Sequence, residues 1–396
     1  MTPPRIGGRG NPSDIFAVQL GALNLVTMWP TFSENVFYTS LNKTIYWINV
    51  VILAICTIAL FAKAILTDDL VDRSEAMDIF TLTGSALYKM VFFYNHHEEM
   101  KDMFECGLQL ISRLPDKWAQ YVGKFSVLHC SLGFICITFW GLCPLFKWVF
   151  GETSLGEMKL PINVYDPFAS EGFLFSFFYL VCYYGLVSSA HIYMAADCFL
   201  FTSIHVANGS LETLNKMLVD MAVEKKDEIQ FMDVTHERLK ECVKLHTHTL
   251  RYIRKTDKLF RSMILADVLH AIISLSFAML QATESKGIFE IVKMVVFVAY
   301  CFVHQYLNSY FGQHLIDQQE RIYKQLILQV HWADGTANMK TTYRLAIMGF
   351  RQPVKLSAWS VYNLQYETFL EFVKSMISYF MVLIQLKDES RGGIVI

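Results

Sequence analysis

Five stretches of the chain stay apolar long enough to cross a bilayer as helices, near residues 45–66, 125–150, 171–207, 262–282 and 288–311. Roughly 20 such residues span the ~30 Å hydrocarbon core. Two further stretches have the length but carry charges: 77–94 contains Lys89, and 366–386 contains Glu367, Glu371 and Lys374. Charged side chains survive in spanning helices that face a bundle interior or a water-filled path. The pattern therefore predicts an all-α polytopic membrane protein with seven transmembrane helices.

The fourth run does not stop where a bilayer would end. Helical spacing continues through Leu211, Leu214, Met217 and Leu218, which extends one helix from 171 to about 220. The stretch from Leu239 to Phe260, with Leu245, Tyr252 and Leu259 among basic residues, reads as the lower half of the next spanning helix. These extensions, about 208–258, are expected to project from the membrane and pack into an anchor that carries the main subunit contacts. An ordinary charged hairpin is the alternative.

Charge sets the orientation, because loops rich in Lys and Arg stay preferentially in the cytoplasm. Arg5, Arg9 and Lys43 precede the first span, whereas the next loop, with Asp68, Asp69, Asp72, Arg73 and Glu75, is mostly acidic. Lys101, Arg113, Lys117 and Lys124 then fall inside, Glu152, Glu157, Asp166 and Glu171 outside, and the ten Lys and Arg of 208–258 inside again. Seven spans with a cytosolic N-terminus leave the C-terminus extracellular, the reverse of a G-protein-coupled receptor. The boundaries that follow are a cytosolic N-terminal segment (1–43), helices one to six (44–311), a cytosolic anchor segment (312–364), a last helix (365–387) and an extracellular tail (388–396). Both sequons, at Asn42 and Asn208, fall on the cytosolic side, so neither is expected to carry a glycan.

Composition narrows the function classes. Hydrophobic residues make up 54% of the 396, charged residues 18%, and the net charge is −2 with no basic tract, which excludes an electrostatic footprint for nucleic acid. The first 43 residues lack the charged, apolar and small-residue succession of a removable signal peptide. Most of the nine cysteines lie inside apolar runs (Cys56, Cys130, Cys136, Cys143, Cys182, Cys198 and Cys301 among them), and no CxxC or Cys/His metal spacing occurs. Neither a disulfide framework nor a metal or other cofactor is expected. No zinc-protease, nucleophile-elbow or phosphate-loop motif is present, and His96–His97 beside Glu98–Glu99 reads as a polar helix end, so no enzyme is indicated. The internal repeat usual in secondary transporters is missing as well.

The last span is the most informative. At about 100° per residue, Glu367, Glu371, Lys374, Ser378 and Gln385 fall within roughly 60° of one another. Such a stripe lines a pore or packs on a neighbouring helix. In the pore reading, Met381 and Val382 interrupt the stripe as an apolar ring that gates by dewetting. Val382 is then the constriction, flanked by Gln385 and Leu386, with Asp388 and Glu389 at the external mouth. One copy of a helix cannot enclose a channel, so this reading requires an oligomer.

Several segments carry a family resemblance. SYFMVLIQLK (Ser378 to Lys387) resembles the last helix of insect odorant receptors, particularly of their shared co-receptor. YFGQHLIDQQERIYKQLILQVHW (Tyr310 to Trp332) and FRQPVKLSAWSVYNLQYETF (Phe350 to Phe369) are similar to the family's segments after the sixth span and before the last helix. DCFLFTSIHVANGSLETL (Asp197 to Leu214) fits its fourth helix. The cytosolic stretch between the fourth and fifth spans is much shorter than the co-receptor's, which indicates an odorant-tuned receptor. The related gustatory receptors end in a TY and QF pattern where this chain has Ser378–Tyr379 and Gln385–Leu386, and they are the nearest rival. The resemblance implies a tetrameric, non-selective cation channel in the plasma membrane of sensory-neuron cilia or dendrites, with co-receptor subunits as partners and a volatile as ligand.

It also implies a ligand site in the outer half of the bundle, between the second, third, fourth and sixth helices. A volatile needs a mostly apolar, aromatic cavity with one or two orienting polar groups. The candidates at that depth are Phe80, Thr83, Gly84 and Leu87 on the second helix, and Ile135, Thr138, Phe139, Leu142 and Phe146 on the third. The fourth offers Leu180, Tyr183, Tyr184 and Val187, and the sixth Val296, Phe297 and Tyr300. The hydroxyls of Tyr183 and Tyr184 could anchor an ester or carbonyl. His191 and Asp197, deeper on the fourth helix, are expected to hold helices together.

Overall fold

The computed structural model describes residues 15–28, 36–151, 160–162, 164, 173–223, 228–284, 287–330, 336–351, 354–359 and 361–392. The long helices among them are α2 (Val36–Leu66), α3 (Leu70–Asn95), α5 (Asp116–Val149), α6 (Phe173–Val223), α7 (Glu228–Glu284), α8 (Ile288–Gln329) and α10 (Tyr366–Gly392). Shorter pieces are α1 (Ala17–Leu25), α4 (His97–Ile111), α9 (Ala337–Phe350) and the two-residue strands β1 (Ser357–Ala358) and β2 (Tyr362–Asn363). Neighbours in sequence are mostly neighbours in space: α2 packs on α3, α5 on α6, α6 on α7 and α7 on α8.

Helices α2, α5, α6, α7, α8 and α10 are long and apolar enough to cross a membrane. At 1.5 Å per residue, α3 is also long enough, about 39 Å, but it holds Asp78 and Lys89. It survives because α2, α6 and α7 pack around it and bury both side chains. Its start is fixed by Asp69, whose carboxylate accepts the amides of Val71 and Asp72 at 2.7 and 2.9 Å, satisfying donors that the first turn leaves unpaired.

Helices α6 and α7 contain 51 and 57 residues, about 77 and 86 Å at the helical rise. Both therefore extend far beyond a bilayer. The overrun is packed: Leu211, Leu214 and Leu218 of α6 and Leu239, Cys242, Leu245 and Tyr252 of α7 are buried. Contacts from α4, α8 and α9 close over it. The hairpin β1–β2 is tied to α7 by Asp257, which accepts the Ser357 amide at 2.7 Å and its hydroxyl at 3.1 Å. Gly312 lets the chain entering α10 lie against α8, since a Cβ there would stand 2.2 Å from the Leu364 carbonyl oxygen. The last helix continues to Gly392, so Asp388 and Glu389 are helical. Asn208 is buried, and its amide donates to the Phe311 carbonyl at 3.3 Å, which puts that sequon inside the protein.

Candidate functional site

A cavity of about 50 Å³ lies between α3, α5, α6, α7 and α8. Leu82, Cys136, Ile137, Ala190, Met194, Ala271, Phe297 and Cys301 supply apolar walls, and Tyr193, His270, Tyr300 and His304 supply polar groups. Gly133 permits the convergence: a Cβ at that position would fall 1.9 Å from the Met194 sulfur and 2.9 Å from the Tyr300 hydroxyl. The Tyr300 hydroxyl is buried without a hydrogen-bond partner among the described residues.

Beneath the cavity sits an ionic cluster. Lys89 Nζ donates to Asp197 Oδ1 at 2.6 Å and lies 2.7 Å from Asp267 Oδ1, while His304 Nε2 stands 3.0 Å from the second Asp197 oxygen. The contact to Asp267 is poorly directed for a hydrogen bond, so charge holds that pair. Lys89 also lies 3.3 Å from the centre of the Tyr193 ring. One ammonium thus ties α3 to α6 and α7, and His304 joins α8. Charges this deep are stable only when paired, and two members of the assembly, Tyr193 and His304, form part of the cavity floor.

Among the candidates read from sequence, Phe297 and Tyr300 line this cavity. The others do not line it: on α3, α5 and α8 the lining face is rotated from the one chosen, and on α6 the lining residues lie further along the helix. On α3, Phe80 stacks on Phe61 of α2 at 5.3 Å and Gly84 approaches Thr57. Thr83 donates to its own helix at the Phe80 carbonyl, and Leu87 packs on the core. On α5, Ile135 is 61% exposed on the outer surface. Phe139 pairs with Phe146 at 5.8 Å, and Thr138 and Leu142 are half-buried beside the lining positions. On α6, Leu180 is 66% exposed and Tyr184 donates to Asn49 of α2 at 2.6 Å. Tyr183 packs on Gly141, and Val187 is half-buried. Val296 of α8 faces outward.

Sequence reading misses the contribution of α7. Asp267 and His270 in an apolar run are the signal that marks it. Asp197 does hold helices together, as expected. No group of His, Cys, Asp and Glu among the described residues is placed to hold a metal ion.

The second feature is α10. Thr368, Phe372 and Met376 turn toward the rest of the chain, and the Ser276 hydroxyl of α7 donates to the Met376 carbonyl at 3.2 Å. The opposite face is bare: Glu367, Glu371, Lys374, Ser378 and Gln385 are exposed, as are Met381 at 51%, Val382 at 47% and Leu386 at 50%. The polar stripe therefore faces away from the rest of the chain.

Comparison with known proteins follows the same lines. The family described as 7tm Odorant receptor matches residues 69–377. Among curated relatives, the odorant receptor coreceptor of Ooceraea biroi is 25% identical over 150 residues, 38% of this chain and 31% of that protein. Odorant receptor 13a of Drosophila melanogaster is 21% identical over 285 residues, 67% of this chain and 66% of that one. The match thus spans about a third of the length of the co-receptor. Among solved structures, the insect olfactory receptor OR5 from Machilis hrabei in complex with eugenol superposes with a TM-score of 0.75 at 13% identity, covering 94% of this chain and 97% of that chain. The fold is shared from end to end, and the family is one of receptors, not enzymes. The chain belongs to the insect odorant receptor family.

Proposed function

We propose that this chain is the odorant-tuned subunit of a heteromeric ligand-gated, non-selective cation channel, assembled with co-receptor subunits in the plasma membrane. The observation that carries the reading is the bare face of α10, where Ser378, Met381, Val382, Gln385 and Leu386 are left uncovered by their own subunit. In a ring of subunits this face lines a central path, with Val382 at its constriction. The exposed apolar residues Leu328, Leu345, Met348, Trp359 and Val361 lie at the end carrying the long extensions, and they supply the material for subunit contacts. With the N-terminus cytosolic, that end is the cytosolic anchor and the opposite end is extracellular.

The ligand occupies the cavity above the Lys89 cluster. Binding of eugenol by a receptor of the same fold supports a small oxygenated volatile. At about 50 Å³ the resting cavity admits little more than water, so ligand must widen it. A ligand that fits only the widened form shifts the population toward it. Helix α7 connects the two sites: His270 and Ala271 touch the cavity, and Ser276, just over a turn further on, grips α10 at Met376.

The test is whole-cell current under a panel of volatile esters, alcohols, aldehydes, phenols and terpenes, in cells expressing the chain with and without a co-receptor. Evoked cation current that requires both proteins is expected. Silence with both at the cell surface would contradict the assignment.

A further inference from the structure

A second, larger chamber of about 380 Å³ opens at the end of the bundle opposite the anchor. It lies where α2 ends, α3 begins, α5 ends and α8 begins. Its floor is the buried ring of Trp140, with Cys143 and Ile162 beside it. Its rim holds Lys63, Lys147 and Lys293 against Asp72, Glu75 and Glu290. The rim charges balance, so the chamber has no net attraction for an ion and suits a neutral molecule with an apolar body.

The wall between this chamber and the inner cavity includes two rings in contact. Trp140 meets Phe297 edge-on at 5.1 Å. Trp140 faces the outer chamber, whereas Phe297 and Ile137, a turn below Trp140 on α5, face the inner cavity. The wall is also held shut. Lys293 Nζ lies 4.4 Å from the centre of the Trp140 ring and is anchored 3.3 Å from Glu75 of α3. Volumes set the order of events, because ligand pockets occupy about 300–1,000 Å³. The outer chamber already meets that size and the inner cavity does not.

We propose that the outer chamber is an antechamber that receives a neutral lipophilic ligand first, and that Trp140 and Phe297 form a door into the inner cavity, latched by Lys293 through Glu75. The proposal rests on the ligand-gated reading above and adds a second binding site on the ligand's path. A latch of this kind controls rates more than equilibrium, because it is broken during passage and re-formed behind the bound ligand.

Two measurements on the full chain, co-expressed with a co-receptor, test it. In rapid concentration jumps with a volatile that evokes current, Glu75→Gln and Lys293→Met are expected to speed both onset and washout at least about threefold, the lower end for a cation–ring contact, by a similar factor in each direction. Trp140→Phe, which keeps an aromatic ring but a smaller one, is expected to accelerate both as well. Unchanged rates in Glu75→Gln and Lys293→Met would overturn the latch. The second measurement needs no volatile. Cells are treated with methyl methanethiosulfonate, a small neutral thiol reagent, and labelling is read peptide by peptide. Cys143 in the outer chamber is expected to label in the parent, and Cys136 of the inner cavity to label several-fold faster in Glu75→Gln than in the parent. Equal labelling of Cys136 in both would overturn the door even where currents are evoked. If no volatile evokes current, the receptor reading fails while the labelling result still decides whether the door exists.

Discussion

Lys89 shows how one residue can define the interior of a membrane bundle. Its side chain is fully buried and faces two carboxylates from different helices. Against lipid it would be intolerable; inside the bundle it fixes the relative rotation of α3, α6 and α7. Removing one partner of a buried pair costs about 3–5 kcal/mol, because the other charges stay behind unpaired. Lys89→Met is therefore expected to cut the amount of receptor at the cell surface severely, measured by surface biotinylation. The double change Lys89→Met with Asp267→Asn should recover part of it. Tyr300 makes the complementary case for binding. Its unpartnered hydroxyl at the cavity is available to a ligand oxygen, and one such hydrogen bond is worth about 0.5–1.5 kcal/mol. Tyr300→Phe should raise EC50 by about three- to tenfold for an oxygenated ligand and leave a hydrocarbon of the same shape unaffected; dose–response curves for such a pair check it.

At the scale of elements, close approach between helices depends on single glycines. A Cβ on Gly312 would stand 2.2 Å from the backbone oxygen of Leu364 and 2.4 Å from its Cβ. Backbone cannot swing aside as a side chain can. Gly312→Ala should destabilise the protein by about 1–3 kcal/mol, whereas Gly123→Ala, with nothing within 4 Å, should be neutral or stabilising. Thermal unfolding of the two variants in detergent separates them. The same elements show how far the sequence can be read. Apolar runs locate the long helices, and spacing through Leu211, Leu214 and Leu218 reveals that α6 outlasts the membrane. Which face of each helix turns inward is harder to read. In a bilayer both the core and the lipid favour apolar side chains, so the contrast that marks a buried face in water is lost. Ile135 and Leu180 thus read as cavity walls from sequence, while Cys136, Tyr193 and Met194 hold those positions. Among the candidate spanning helices, α10 carries the charges that let its stripe be phased from sequence. The short α4 escapes such a reading because its apolar face, with Met100, Met103 and Leu110, is set among charged residues in what looks like a loop.

At the scale of the whole molecule, the proposed channel requires more than one chain. It leaves apolar surface uncovered along α10 and at the anchor, where Leu345 and Met348 of α9 are exposed. In the proposed arrangement the anchor lies beyond the reach of lipid, so its apolar surface calls for protein. Leu345→Ser with Met348→Ser should leave the monomer folded and weaken assembly with the co-receptor, which native gel electrophoresis after mild solubilisation reads directly. In the proposed channel, coupling from cavity to pore needs no long chain of contacts, since α7 touches the inner cavity, the Lys89 cluster and α10 within about three helical turns.

The central claim is that α10 of this chain lines the path that ligand opens. A Gln385→Cys subunit co-expressed with a co-receptor, exposed to a charged methanethiosulfonate from outside during a volatile-evoked current, tests it most directly. The account predicts progressive block of the current, faster in the presence of the volatile than at rest. Evoked current that persists undiminished while the introduced thiol is shown to be labelled would mean that the path lies elsewhere.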